Sequence, residues 1–189
     1  MKRAYPPPPT ETQVHIHAML FALAVVVATP AAAQDYPKLK SGQWDMVTTT
    51  SKGGTGGPHR TTPCTDESIQ KQMIDLSKGM QREMCSKFDF RREGSSYIGD
   101  SVCQMGESKM VSHSVMAIQG DTGYKTDIIT TYDPPFMGMK DSHTTVEGKF
   151  VGPCRDGLQP GDVLMPDGKK FNMKAMQGQV PAMPPAKAK

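Results

Sequence analysis

Four cysteines, Cys64, Cys85, Cys103 and Cys154, are the residues of this chain best suited to covalent chemistry. Their spacings of 21, 18 and 51 contain no Cys-x-x-Cys pair, which zinc sites and thioredoxin-like redox centres usually need. They read as two structural disulfides. Four cysteines allow three pairings. Placement favours Cys64 with Cys85, which flank one expected helix, and Cys103 with Cys154, which would tie a central strand to the end of the last one.

A second group is softer. Met137, Met139 and His143 lie close together in sequence, with His113 expected on a neighbouring strand. Thioether and imidazole ligands suit copper, so copper handling is the alternative function. The plainer reading is that a chain with 15 methionines uses them for packing, and no metal is favoured. For catalysis there is no Gly-x-Ser-x-Gly, no His-Glu-x-x-His and no phosphate loop. Only His59, His113 and His143 follow residue 33, and none forms an evident acid–base pair. The chain reads as a non-enzyme without a cofactor. Its net charge of +3 is spread along the sequence. With no cluster of Lys and Arg to neutralise phosphates, nucleic acid is not an expected partner.

The disulfide reading needs an oxidising compartment, and the N-terminus supplies a route to one. Residues 18–28 form an apolar run, followed by Pro30 and Ala31-Ala32-Ala33. The run is far shorter than the roughly 20 residues of a membrane span, and the small residues after it match a signal peptidase site. Residues 1–33 are therefore expected to be a signal peptide, although Lys2 and Arg3 stand apart from the run. The protein is expected in the periplasm or outside the cell, with no transmembrane segment in its mature part. Residues 34–155 would form a β-rich, disulfide-stabilised domain, 156–180 a weakly structured extension and 181–189 a disordered tail.

The elements that position these residues are mostly strands. Trp44, Met46 and Thr48 alternate on one face of a first strand, and Phe88 and Phe90 on another, the period of a sheet with one buried side. Lys52 to Pro58 reads as a glycine-rich turn, and Asp133 to Met139 as a loop. Strands are expected over 96–105, 109–119, 124–132 and 141–151, with a weak one over 171–176. One helix interrupts them, from about 66 to 78, with Thr65 as N-cap and Gly79 as its stop. Ile69, Met73, Leu76 and Met80 form its apolar stripe. Short strands joined by glycine turns predict a mainly β fold: an antiparallel, curved sheet or half-barrel meander with one short helix packed across it.

Leu, Ile, Val and Phe are scarce, so adaptable Met side chains must share the interior. A helix on a concave sheet leaves a gap. Trp44, Met46, Ile69, Met73, Leu76, Phe88 and Phe90 are its expected lining and the candidate pocket for a small apolar ligand. An envelope protein is the other candidate partner.

Gly42-Gln43-Trp44, the four ordered cysteines and Gly152-Pro153-Cys154 together resemble a family of exported bacterial proteins, domain of unknown function 3617, over about residues 38–155. The resemblance implies a periplasmic location and a β-rich fold. It implies no activity.

Overall fold

The computed structural model describes residues 36–51 and 57–176. The expected signal peptide, most of the glycine-rich turn after residue 51 and the expected tail lie outside the described residues. The elements are β1 (Gly42–Ser51), β2 (His59–Thr65), α1 (Glu67–Met84), β3 (Cys85–Glu93), β4 (Ser96–Met105), β5 (Ser108–Gln119), β6 (Gly123–Phe136), β7 (Met139–Gly152), β8 (Asp162–Leu164), β9 (Lys170–Asn172) and α2 (Met173–Met176). The nine strands make one open sheet in the order β3-β4-β5-β6-β7-β1-β2-β8-β9. Every neighbouring pair is antiparallel. The fold is thus the expected antiparallel β architecture, with a short second helix that the sequence reading did not include.

β3 to β7 form a continuous meander. β1 then lies beside β7, pairing Trp44 with Phe150 and Met46 with Gly148. This placement overturns the expected cysteine pairing. The bonds are Cys64–Cys154 and Cys85–Cys103. The helix explains why. It does not stop at Gly79 but runs 18 residues to Met84, a length of about 27 Å, and carries Cys85 away from Cys64. Cys85 opens β3 and faces Cys103 across the ladder. Cys64 and Gly152 meanwhile lie on the two sides of β1, both opposite Gln43, so Cys154 reaches Cys64 around the start of that strand. By loop length, the 90-residue separation makes this the stronger constraint, roughly 4–5 kcal/mol against about 3 for the shorter loop.

The same corner requires glycine at position 42. Its φ is +140°, and a Cβ there would stand 2.3 Å from the Gly152 carbonyl oxygen. The N-cap of α1 is Asp66 rather than Thr65; its carboxylate accepts the Ile69 N–H at 2.9 Å, satisfying one of the helix's free donors.

The segment expected to be a loop is sheet, and in the extension the weak strand expected over 171–176 is instead β9 followed by α2. The chain from Asp133 to Phe136 stays in β6, and the turn shrinks to Met137-Gly138, both with positive φ, as a two-residue hairpin turn requires. Pro134 and Pro135 fit because the β6–β7 register shifts between Thr131 and Phe136, so their missing N–H groups cost no ladder bond. The extension after residue 156 supplies β8, which pairs with β2, and β9 beside it. Asp162 holds this hairpin together. Its carboxylate accepts the Gln159 N–H at 2.9 Å and the Asn172 amide at 2.8 Å, and it faces the Lys170 ammonium at 3.3 Å. These bonds hold its pKa below the ordinary aspartate value, the Gln159 N–H first among them.

The inward face also carries a polar half. Ser112 with Thr130, Thr50 with Thr144, and Tyr132 with Ser142 pair their hydroxyls at 2.9–3.3 Å. Thr130 and Ser142 are buried, and hydroxyl pairing offsets their loss of water.

Two outcomes follow from this packing. Gly79 sits inside a helix with nothing within 4 Å of a built Cβ, so Gly79→Ala raises stability by about 1 kcal/mol in denaturant unfolding. Asp162→Asn lowers the melting temperature at neutral pH. Because the folded carboxyl has a depressed pKa, its contribution is present above the unfolded pKa and lost as pH falls through the folded one. The gap between parent and variant therefore narrows on acidification, and thermal melts across pH measure it.

Candidate functional site

A cavity of about 700 Å³ lies between α1 and the inward face of the sheet. Phe90 of β3 and Phe171 of β9 both line it, although these strands are the two edges of the sheet. In a flat sheet they would lie about 38 Å apart. The sheet therefore curls around the helix, and the curl creates the cavity.

Five of the seven residues expected to line this space do so: Trp44, Met46, Ile69, Met73 and Phe90. Phe88 does not. It is half-buried on β3 and stacks on Phe90 with centroids 6.4 Å apart. Leu76 lies in a separate shallow groove on α1 beside Ser68 and Gln72. The helix is rotated from the expected stripe: Ile69, Gln70, Met73 and Ile74 face the cavity. Ile69 is 1% exposed and Met73 40%, so the helix dips into the sheet at its N-terminal end.

Gln70 explains the rotation. Its side-chain amide donates to the Leu39 carbonyl at 2.8 Å and its oxygen accepts the Leu39 N–H at 3.2 Å. This two-way clamp holds an arm, residues 36–40, as one wall of the cavity. The Lys40 N–H bonds the Asp121 carbonyl, and the Lys40 carbonyl accepts the Trp44 indole N–H at 2.9 Å. Tyr36 completes the anchorage. It stacks on Phe90 at 4.9 Å, Phe90 stacks on Tyr97 at 5.6 Å, and the cations of Lys78 and Arg92 lie over Tyr36 and Tyr97 at the two ends. Such stacks add cohesion beyond the area they bury.

On the sheet side, Tyr124 lies flat over Gly148, where a Cβ would stand 2.3 Å from the ring, and its centroid is 5.8 Å from that of Trp44. Burial raises the Tyr124 pKa. Trp44 itself is 2% exposed. Among the described lining residues there is no Lys, Arg, His, Asp or Glu.

The copper candidates do not converge. Met139 and His143 lie four residues apart on β7, about 13 Å along a strand. Met137 is 85% exposed at the hairpin turn. His143 Nε2 lies 3.5 Å from Asp127, and His113 Nδ1 2.7 Å from Asp100, each with its own carboxylate. His113 and His143 both face Ile129, from opposite sides. Among the described residues no group of three His, Cys, Asp or Glu could hold a metal ion.

The arm gives a direct test. Gln70→Ala removes both clamp bonds, worth roughly 1–3 kcal/mol together. Limited trypsin digestion should then cut after Lys38 several times faster than in the parent, while circular dichroism keeps the strand signal unchanged.

No curated protein and no solved structure matches this chain. No helix among the described residues is long and apolar enough to cross a membrane. The model of a family described as "Protein of unknown function (DUF3617)" matches residues 39–154, a span that opens in the arm at Leu39 and closes at the disulfide corner with Cys154. The chain therefore belongs to the DUF3617 family.

Proposed function

We propose that this protein is a non-catalytic binding domain of the periplasm or extracellular space that holds a small apolar molecule between α1 and the curled sheet. The observation that carries this reading is the cavity. Its volume of about 700 Å³ falls within the roughly 300–1,000 Å³ usual for small-molecule sites. Its wall is aromatic and aliphatic, with Met46, Met73, Met116, Met165 and Met173 among the lining. Unbranched thioether side chains re-pack around different shapes more readily than branched ones. Two disulfides and the signal-like N-terminus support the compartment.

The test is to fill the space. Met73 is a poor site for this, because a larger side chain there escapes to solvent. Met116 lies on the sheet side and is half-buried. Met116→Trp should weaken binding of an uncharged, environment-sensitive naphthalene dye by about tenfold or more, with cooperative unfolding retained. Equal dye binding by a folded Met116→Trp variant would reject the cavity as the binding site.

A further inference from the structure

We infer that the ligand is an uncharged, lipid-like molecule whose hydrogen-bond acceptor, an ester, ether or ketone oxygen, meets the Tyr124 hydroxyl inside the cavity. This rests on the binding reading above and adds the ligand's chemistry to it.

Three observations carry it. The first is electrostatic. The described lining has neither a cation nor an anion. Moving a carboxylate or ammonium into such a space without a partner costs several kcal/mol. Lys78 lies over the Tyr36 ring and Lys40 over Phe150, and neither lines the cavity. The second is the accounting of polar groups. The Gln70 amide is spent on Leu39, and the Thr65 hydroxyl donates to the Asp66 carbonyl. The hydroxyls of Tyr124 and Thr61, which both line the cavity, have no hydrogen-bond partner among the described residues, and the phenol, at the end of an aromatic ring, reaches further into it. A phenol in an apolar wall gains from an acceptor brought by a ligand, and that acceptor need not be charged. The third is position. Gly148 leaves room for the ring to lie flat across β7, beside the buried Trp44. Tyr124, Gly148, Met46 and Thr61 share one register row across four strands. The acceptor end of a bound molecule therefore lies along this row, and its apolar remainder runs toward Met73, which is 40% exposed.

The only tryptophan of the chain reports on this directly. The full chain, purified with its disulfides formed, is titrated with four probes of equal chain length: methyl dodecanoate, dodecane, dodecanoate and dodecyltrimethylammonium. Trp44 fluorescence is the readout. The expected order is ester first, then alkane roughly three- to tenfold weaker, then both ions weaker still. Tyr124→Phe should bring the ester down to the alkane and leave alkane binding unchanged. Either ion binding as tightly as the ester would overturn the inference while leaving the cavity reading intact. So would a Tyr124→Phe variant that keeps the ester's advantage. If none of the four probes binds, the cavity reading fails and the inference falls with it.

Discussion

The corner where β1 begins is the constraint on which the rest of the molecule depends. Cys64 and Cys154 are joined around it. Gly42 passes so close to Gly152 that only a hydrogen side chain fits. The Gln43 side chain accepts the Arg155 N–H. Cys64 also offers its carbonyl to the Gly161 N–H, and from that bond hangs the β8–β9 hairpin that forms the far wall. A chain poor in branched apolar residues cannot rely on burial alone to choose among sheet registers. Here a covalent bond and a steric exclusion make that choice. Gly42, Cys64, Gly152 and Cys154 all meet at this point.

The interior divides its labour. Around Trp44, aromatic rings pack edge-on and tilted against Tyr124 and Phe150. Toward Phe90 they stack in a column. Toward the β6–β7 turn the same sheet face replaces apolar contact with paired hydroxyls. Ser and Thr on strands fit the pleat and bond across it, so the sheet can continue where the apolar residues run out. The helix covers only the aromatic part, which is why the cavity lies there.

Much of this was legible in the residues, and the rest was not for definite reasons. Trp44 and Met46, or Phe88 and Phe90, declare their shared face by period two alone. The helix start was readable to within one residue, since Thr65 and Asp66 are both competent caps and only the backbone decides between them. The cysteine pairing was not readable, because it depends on β1 lying beside β7, a neighbour about a hundred residues away. Nothing in the sequence pattern marks Gln70, because its inward turn depends on the arm it clasps. Gly79 looked like a stop, but a helix end held by Cys85 and Cys103 can carry a glycine through at modest cost. Val163 and Phe171 lie in strands of three residues, too short to show a period. Tyr124 had the right parity, but nothing local marks the glycine across the ladder that lets its ring lie flat.

The pairing of β1 with β7 has a consequence for how the molecule comes into being. The first strand must wait for the seventh, and the wall made by β8 and β9 is added after that. Contacts so distant along the chain form late, because the intervening loop must first be closed. A polypeptide emerging N-terminus first from the ribosome presents Trp44, Met46 and the inward side of α1 uncovered until Cys154 has been made. The chamber is therefore the last part of the protein to form, after the longest loop in the sheet has closed.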